Sequence, residues 1–214
     1  MNKPDSRLRG LYAITPDGPD QALLLEQTTQ ALRGGARIVQ YRNKSRSAEA
    51  QRECALALKA LCRLHDACFI VNDDVMLALA VGADGVHLGS NDGDLAAARQ
   101  ALGRELLLGA SCYADFSLAQ AAVAAGADYV AFGAVCPSPT KPQAVRAPLT
   151  LFEQGRRTLG VPLCAIGGIT LDSAPEIIAA GADMLAVISD LFDAPDIAAR
   201  ASHFQTLFME TSRD

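Results

Sequence analysis

The residues best suited to chemistry in this chain are two aspartates, three cations and a glycine pair, each just after a short apolar run. Asp73 and Asp92 have no histidine or thiol cluster beside them. Two carboxylates without softer ligands suit a hard cation, and Mg²⁺ binds this way when a phosphate supplies further oxygens. Arg42, Lys44 and Lys141, with Asn72, Ser138 and Thr140, supply cations and polar donors. Charge-assisted donors beside a divalent ion meet the needs of a diphosphate, because each neutralises charge that the others leave. Gly167-Gly168 is a separate signal, since glycine lets a phosphate approach main-chain N–H groups, and Ser189 and the Ile188 amide follow the next run. Plainer readings exist for each: an aspartate after a strand caps the next helix, as Asp74 and Asp94 could, lone Arg and Lys are usually solvated, and Gly-Gly can mark a tight turn. The acids and flanking cations taken together outweigh those readings. They point to two phosphate sites, one with metal and one without, and so to a diphosphate donor joined to a phosphorylated acceptor.

Positioning such a set requires strand ends converging on one place. Short, nearly all-apolar runs at Leu11–Ile14, Ile38–Tyr41, Cys68–Val71, Gly85–Leu88, Leu106–Gly109, Tyr129–Gly133, Leu163–Ile166 and Leu185–Ile188 read as strands buried on both faces. Between them lie amphipathic stretches such as Gln21–Arg33, Ser47–Leu64, Asp94–Leu102, Ser117–Ala125 and Ser173–Ala180, several opening on Asp or Ser as helix caps do. Gly35-Ala36-Arg37, Gly82-Ala83-Asp84, Gly126-Ala127-Asp128 and Gly181-Ala182-Asp183 recur at intervals of 47, 44 and 55 residues, about two strand–helix units apart. An open doubly wound sheet could hold eight strands, but an even repeat favours closure. The expected architecture is α/β: a single-domain (β/α)₈ TIM barrel over residues 1–214, with loose ends up to about Arg9 and over 210–214. Its mouth, at the C-terminal strand ends, would then gather the polar residues above.

Bulk properties narrow the function. A net charge of −5 and a pI near 5.2 disfavour nucleic acid, and the lack of Trp leaves little for base stacking. The polar start and charge-free stretches of only about a dozen residues offer neither a signal h-region nor a membrane span. Six cysteines at 54, 62, 68, 112, 136 and 164 form no C-x-x-C pair, so buried thiols in a cytoplasmic protein are expected rather than zinc or disulfides. His65 and His203 read as structural or exposed, and His87, within its strand, as a packed core histidine rather than a base. Phe192, Phe204, Phe208 and Met209 suit packing of a last helix.

Seven segments, in order from about Leu11 to Leu191, resemble the thiamine phosphate synthase family. They are Gln40-Tyr41-Arg42-Asn43-Lys44, Val71-Asn72-Asp73-Asp74, Gly85-Val86-His87-Leu88-Gly89, Gly109-Ala110-Ser111, Ser138-Pro139-Thr140-Lys141, Ala165-Ile166-Gly167-Gly168-Ile169 and Val187-Ile188-Ser189. The resemblance implies a (β/α)₈ transferase that condenses 4-amino-2-methyl-5-hydroxymethylpyrimidine diphosphate with thiazole phosphate, giving thiamine phosphate and diphosphate by a dissociative, Mg²⁺-assisted displacement. It implies that Gln40, Tyr41, Arg42, Asn43, Lys44, Asn72, Ser111 and Lys141 meet the pyrimidine diphosphate. Arg42, Lys44, Ser111 and Lys141 would act in catalysis, and Asp73 and Asp92 would hold Mg²⁺. Ser138, Pro139, Thr140, Gly168, Ile188 and Ser189 would frame the thiazole phosphate. The pattern departs from the family at Asn43, where an acid is usual, at Ser138-Pro139, and at Ala134, where a Gly-Pro pair is common. Alternatives are a thiazole tautomerase, which would lack the metal–diphosphate apparatus, and a non-catalytic phosphate-binding barrel. The implied partners are small molecules, with neither nucleic acid nor membrane, and a homo-oligomer is left open.

Overall fold

The structure, a computed structural model, describes residues 7–18, 20–43, 45–137 and 146–210. Eight parallel strands alternate with helices: β1 (Gly10–Ile14), α1 (Gln21–Arg33), β2 (Ile38–Tyr41), α2 (Ala48–Leu64), β3 (Cys68–Asn72), α3 (Val75–Val81), β4 (Gly85–Leu88), α4 (Leu95–Leu102) and β5 (Leu107–Tyr113), then α5 (Phe116–Ala124), β6 (Tyr129–Gly133), α6 (Thr150–Thr158), β7 (Leu163–Ile166), α7 (Ala174–Ala179), β8 (Met184–Val187), α8 (Ser189–Phe192) and α9 (Ile197–Glu210). Each strand pairs with the next, and β8 pairs with β1, closing the barrel. The expected (β/α)₈ architecture is therefore the observed one. β5 runs four residues past its expected end, to Tyr113, because its register with β6 shifts between Ser111 and Tyr113. Such a bulge re-aims the side chains beyond it.

The helices start where short acceptors can satisfy free N–H groups. Asp20, Ser47, Asp74, Asp94 and Asp115 each accept from a backbone N–H in the first turn. Outward strand residues such as Val39, Phe69 and Val86 pack with α2 residues Leu58 and Cys62, while inward ones such as Tyr12, Ile38, Ile70 and Met184 fill the barrel. None of the six cysteines is in a disulfide, and five of them are buried. Phe192, Phe204 and Phe208 are buried as expected, but Met209 is 60% exposed because it lies on the outer face of α9. Residues 7–9, expected in a loose end, close the barrel bottom: Leu8 is only 3% exposed and packs with the interior cluster. Among the described residues, no helix is long and apolar enough to cross a membrane.

The Gly-Ala-Asp repeat has a physical basis at the N-terminal ends of the even strands. Gly82, Gly126 and Gly181 take positive φ, of 60°, 96° and 115°, where a side chain would be strained. The aspartate two residues on makes a double link to the preceding strand. The N–H of Asp84 donates to the carbonyl of Phe69, and its carboxylate accepts the N–H of Phe69 at 2.9 Å. Asp128 does the same with Leu108, and Asp183 with Leu163. These strand-starting N–H groups would otherwise be unpaired beside the core. At β2 the repeat carries Arg37 in place of aspartate, and the matching N–H, that of Leu11, donates instead to Gln205 Oε1 of α9. Cations complete the pattern: Arg7 pairs with Asp84, and Arg99 with Asp128.

Asp128→Ala should therefore destabilise the barrel by about 1–3 kcal/mol, the cost of a buried N–H left without an acceptor. Thermal unfolding should show the loss, and kcat at a permissive temperature should stay near wild type because this end is remote from the mouth.

Candidate functional site at the barrel mouth

β2 to β5 build one arc of the mouth. Strand alternation turns Gln40 inward while Tyr41 turns outward. Gln40 is 3% exposed, and Tyr41 packs with Cys54 and Leu58 of α2. The Tyr41 side chain is thus directed away from the mouth, and burial pushes its phenol above the ordinary range. Arg42 follows on a backbone pinned to β1: its N–H donates to Thr15 Oγ1 at 3.0 Å, and that hydroxyl donates to the Arg42 carbonyl at 3.2 Å. Its guanidinium pairs with Asp17 in the loop after β1. Asn43 Oδ1 accepts the N–H groups of Ser45 and Arg46, so its carbonyl shapes the loop.

Asn72 ends β3, and Asp73 follows it with φ +65°, a left-handed conformation unusual for a non-glycine residue. Its N–H donates to the carbonyl of His87, which ties the end of β3 to β4. Asp74 caps α3 and Asp94 caps α4. The capping explanation for acids after these strands is therefore met by Asp74 and Asp94, not by Asp73 and Asp92. Asp92 is exposed, and its Oδ2 accepts the Gly89 N–H at 2.9 Å. Tyr113, beyond the bulge in β5, stands over this loop with its hydroxyl 3.2 Å from Ser90 Oγ.

β7 and β8 form the other arc. Gly167 and Gly168 have φ of +100° and +66°, and a Cβ on Gly168 would lie 2.3 Å from the Pro137 carbonyl oxygen. Turn geometry and close backbone approach thus already require glycine at both positions. Ile188 points inward among the barrel-filling residues, and Ser189, exposed, opens α8. Lys44, Ser138, Pro139, Thr140 and Lys141 lie outside the described residues.

Between the arcs, directly beneath the mouth, runs a buried polar chain that the sequence reading did not assemble. Gln40 Nε2 donates to the Tyr12 hydroxyl at 2.7 Å, and the Tyr12 and Tyr129 hydroxyls are 2.9 Å apart. The Tyr129 oxygen lies 3.1 Å from His87 Nδ1, and His87 Nε2 lies 2.9 Å from Ser111 Oγ. Asn72, His87, Gly109 and Tyr129 share one register row across β3 to β6. Gly109 leaves the gap over which the rings of His87 and Tyr129 stack, with centroids 5.5 Å apart. A Cβ there would sit 2.1 Å from Tyr129 Cζ and 2.6 Å from His87 Nδ1. Inward parity at Tyr12, His87 and Tyr129 was the available sequence signal. Burial lowers the His87 pKa to about 4 against a smaller upward pull from Asp92, and burial pushes both phenols well above their usual value. His87 is therefore a neutral hydrogen-bonding group at neutral pH, not a further cation for phosphate.

The donor set can be tested against a metal. Among the described residues, no group of three or more His, Cys, Asp or Glu side chains could cage an ion. Asp73 and Asp92 follow adjacent paired strands. Two hard carboxylates fit Mg²⁺ where phosphate oxygens and water complete the shell, the ordinary coordination of that ion.

Fold and mouth together define a closed (β/α)₈ barrel with acids, amides and a cation on one arc and glycine-rich backbone on the other. The family model described as thiamine monophosphate synthase matches residues 11–191. The chain is 61% identical over 205 residues to the thiamine-phosphate synthase of Aromatoleum aromaticum, covering 96% of this chain and 99% of that protein. It is 57% identical over 209 residues to that of Thioalkalivibrio sulfidiphilus, covering 97% and 99%. The structure of thiamine phosphate pyrophosphorylase from Pyrococcus furiosus superposes with a TM-score of 0.85 at 34% identity, covering 95% of this chain and 97% of that one. The chain belongs to the thiamine monophosphate synthase family, whose members are transferases.

The lowered His87 pKa predicts a pH dependence of stability. Between pH 6.5 and about 4 the unfolded chain binds a proton at His87 that the folded chain refuses, so this contribution is complete above pH 6.5 and is lost as pH falls toward 4. Its full span is at most about 3 kcal/mol. Denaturant unfolding of wild type and His87→Gln across this range should show a shallower pH slope in the variant; parallel curves would refute the assignment.

Proposed function

We propose that this chain condenses 4-amino-2-methyl-5-hydroxymethylpyrimidine diphosphate with thiazole phosphate, giving thiamine phosphate and diphosphate, and that the two arcs divide the substrates between them. The family relationship supports the reaction, and the division of polar groups around the rim supports the arrangement. On the first arc, Gln40, Arg42, Asn43, Asn72 and Ser111, with the Tyr41 main chain, would face the pyrimidine diphosphate, joined by Lys44 and Lys141. Arg42 would exchange the Asp17 carboxylate for a phosphate oxygen, so binding costs one exposed ion pair and gains a charge-assisted contact. On the second arc, backbone groups at Gly168 and Ile188 and the Ser189 hydroxyl, with Ser138, Pro139 and Thr140, would anchor the thiazole phosphate.

The chemistry asks for leaving-group stabilisation and alignment more than for a base. The bond from the exocyclic methylene carbon to the diphosphate oxygen breaks, and its electron pair leaves with diphosphate. The pyrimidine ring and its amino group share the positive charge left on the methylene. The thiazole nitrogen then supplies the pair for the new C–N bond. Mg²⁺, held by Asp73 and Asp92, would neutralise the departing diphosphate. The chain's own part is to place Arg42, Ser111, Lys44 and Lys141 against the growing negative charge and to hold the acceptor nitrogen in line. Such a site suits a chain of net charge −5, because a few placed groups do what the global field does not.

Purified protein supplied with both substrates and Mg²⁺ should form thiamine phosphate, followed by chromatography; no product beside an active control would refute the reading. Asp92→Ala should lower kcat by at least a hundredfold while leaving thiazole phosphate affinity, measured by calorimetry, within about threefold of wild type. Equal loss of both would mean that Asp92 serves the fold or the other arc.

A further inference from the structure

We propose that Tyr12, Tyr129 and His87 are positioning residues that lock Ser111 with its hydroxyl hydrogen turned to the mouth and Gln40 with its carbonyl oxygen turned there, making one contact on the diphosphate arc a fixed donor and the other a fixed acceptor. The inference rests on the proposed placement of Gln40 and Ser111 against the pyrimidine diphosphate.

Each link of the buried chain has one hydrogen to place. Gln40 Nε2 gives a hydrogen to the Tyr12 oxygen, so the single Tyr12 hydrogen goes to Tyr129. The Tyr129 hydrogen then goes to His87 Nδ1. A neutral imidazole that accepts at Nδ1 carries its hydrogen on Nε2, and that hydrogen goes to Ser111 Oγ. Ser111 has accepted within the chain, so its own hydrogen is free to point out of it. At the other end, the nitrogen of the Gln40 amide faces the chain and its oxygen faces away. Reversing one link alone would set two hydrogens or two lone pairs face to face at a buried contact, where an unmade hydrogen bond is costly. The links therefore hold or reverse together, and polarity at Gln40 is coupled to polarity at Ser111 through three side chains across the barrel. An acceptor-only diphosphate selects the direction that sends the Ser111 hydrogen outward. Gly109 makes the chain continuous, since any side chain there would wedge between His87 and Tyr129.

The direction can be read without substrate. In the full chain labelled with ¹⁵N at histidine, the His87 ring should show the Nε2–H tautomer with Nδ1 as the unprotonated acceptor; an Nδ1–H tautomer would overturn the proposal. Tyr129→Phe keeps the ring and removes the hydrogen given to Nδ1. It should mix the tautomers and lower kcat about tenfold, the scale of one misdirected hydrogen bond, with KM for thiazole phosphate unchanged. In a Ser111→Ala background the same change should cost less than about twofold, because no hydroxyl remains to be aimed. Losses that multiply would show that Tyr129 acts through packing and would overturn the coupling. If Tyr129→Phe does not fold, Tyr12→Phe serves: it should lower kcat while keeping the Nε2–H tautomer, and a swing to Nδ1–H would count against the proposal. A wild-type protein that forms no thiamine phosphate would refute the proposed function itself, whereas the tautomer measurement judges the chain independently.

Discussion

Placing hydroxyls, an imidazole and an amide on the inside of a closed apolar barrel is tolerable only if each finds a partner there. That constraint organises the upper half of this molecule. Gln40, Tyr12, Tyr129, His87 and Ser111 come from five strands, and each satisfies the next. Neighbouring positions follow from it: Gly109 must lack a side chain, and the rings of Tyr129 and His87 must stack over the space it leaves. The floor of the mouth is thus a neutral, hydrogen-bonded plate, and charge is confined to the rim above it.

The two ends of the barrel solve different problems with the same residue type. At the N-terminal end, aspartates 84, 128 and 183 reach sideways to strand-starting N–H groups, and arginines pair with the first two. At the C-terminal end, Asp74, Asp94 and Asp115 turn back to cap helices. Asp73 and Asp92 do neither. Asp73 is held in a left-handed conformation tied to the His87 carbonyl, and Asp92 closes a short loop through the Gly89 N–H. Residue type alone does not distinguish these three placements of an aspartate; strand register and loop geometry do.

Rim electrostatics are local. Arg42 is paired with Asp17 and its backbone is anchored through Thr15, so contacts within the barrel set its position. His87, on the strand that leads to Asp92 and beside the one that leads to Asp73, stays uncharged because burial outweighs the pull of Asp92. A phosphate approaching this mouth would meet few but well-placed donors, which favours recognition of a particular shape over general attraction of anions.

The amino-acid sequence by itself determined the alternation of strands and helices, closure into eight units, the strand ends from which polar residues emerge, and the family. Those features are carried by local periodicity and by a repeat that each segment displays alone. It placed β5 short, because a bulge depends on the register of a neighbouring strand, and it put residues 7–9 in a loose end, because nothing local to them says that Leu8 plugs the barrel. It set His87 aside as core, which its burial bears out, but missed the bond to Ser111, and it named Tyr41 among the substrate contacts without showing that strand parity turns its side chain outward. Only the tertiary structure decided which inward polar residues touch. Contacts across a closed barrel join residues as far apart as Tyr12 and Tyr129, separated by 117 positions, and their pairing is fixed by register and ring geometry rather than by any pattern along the chain.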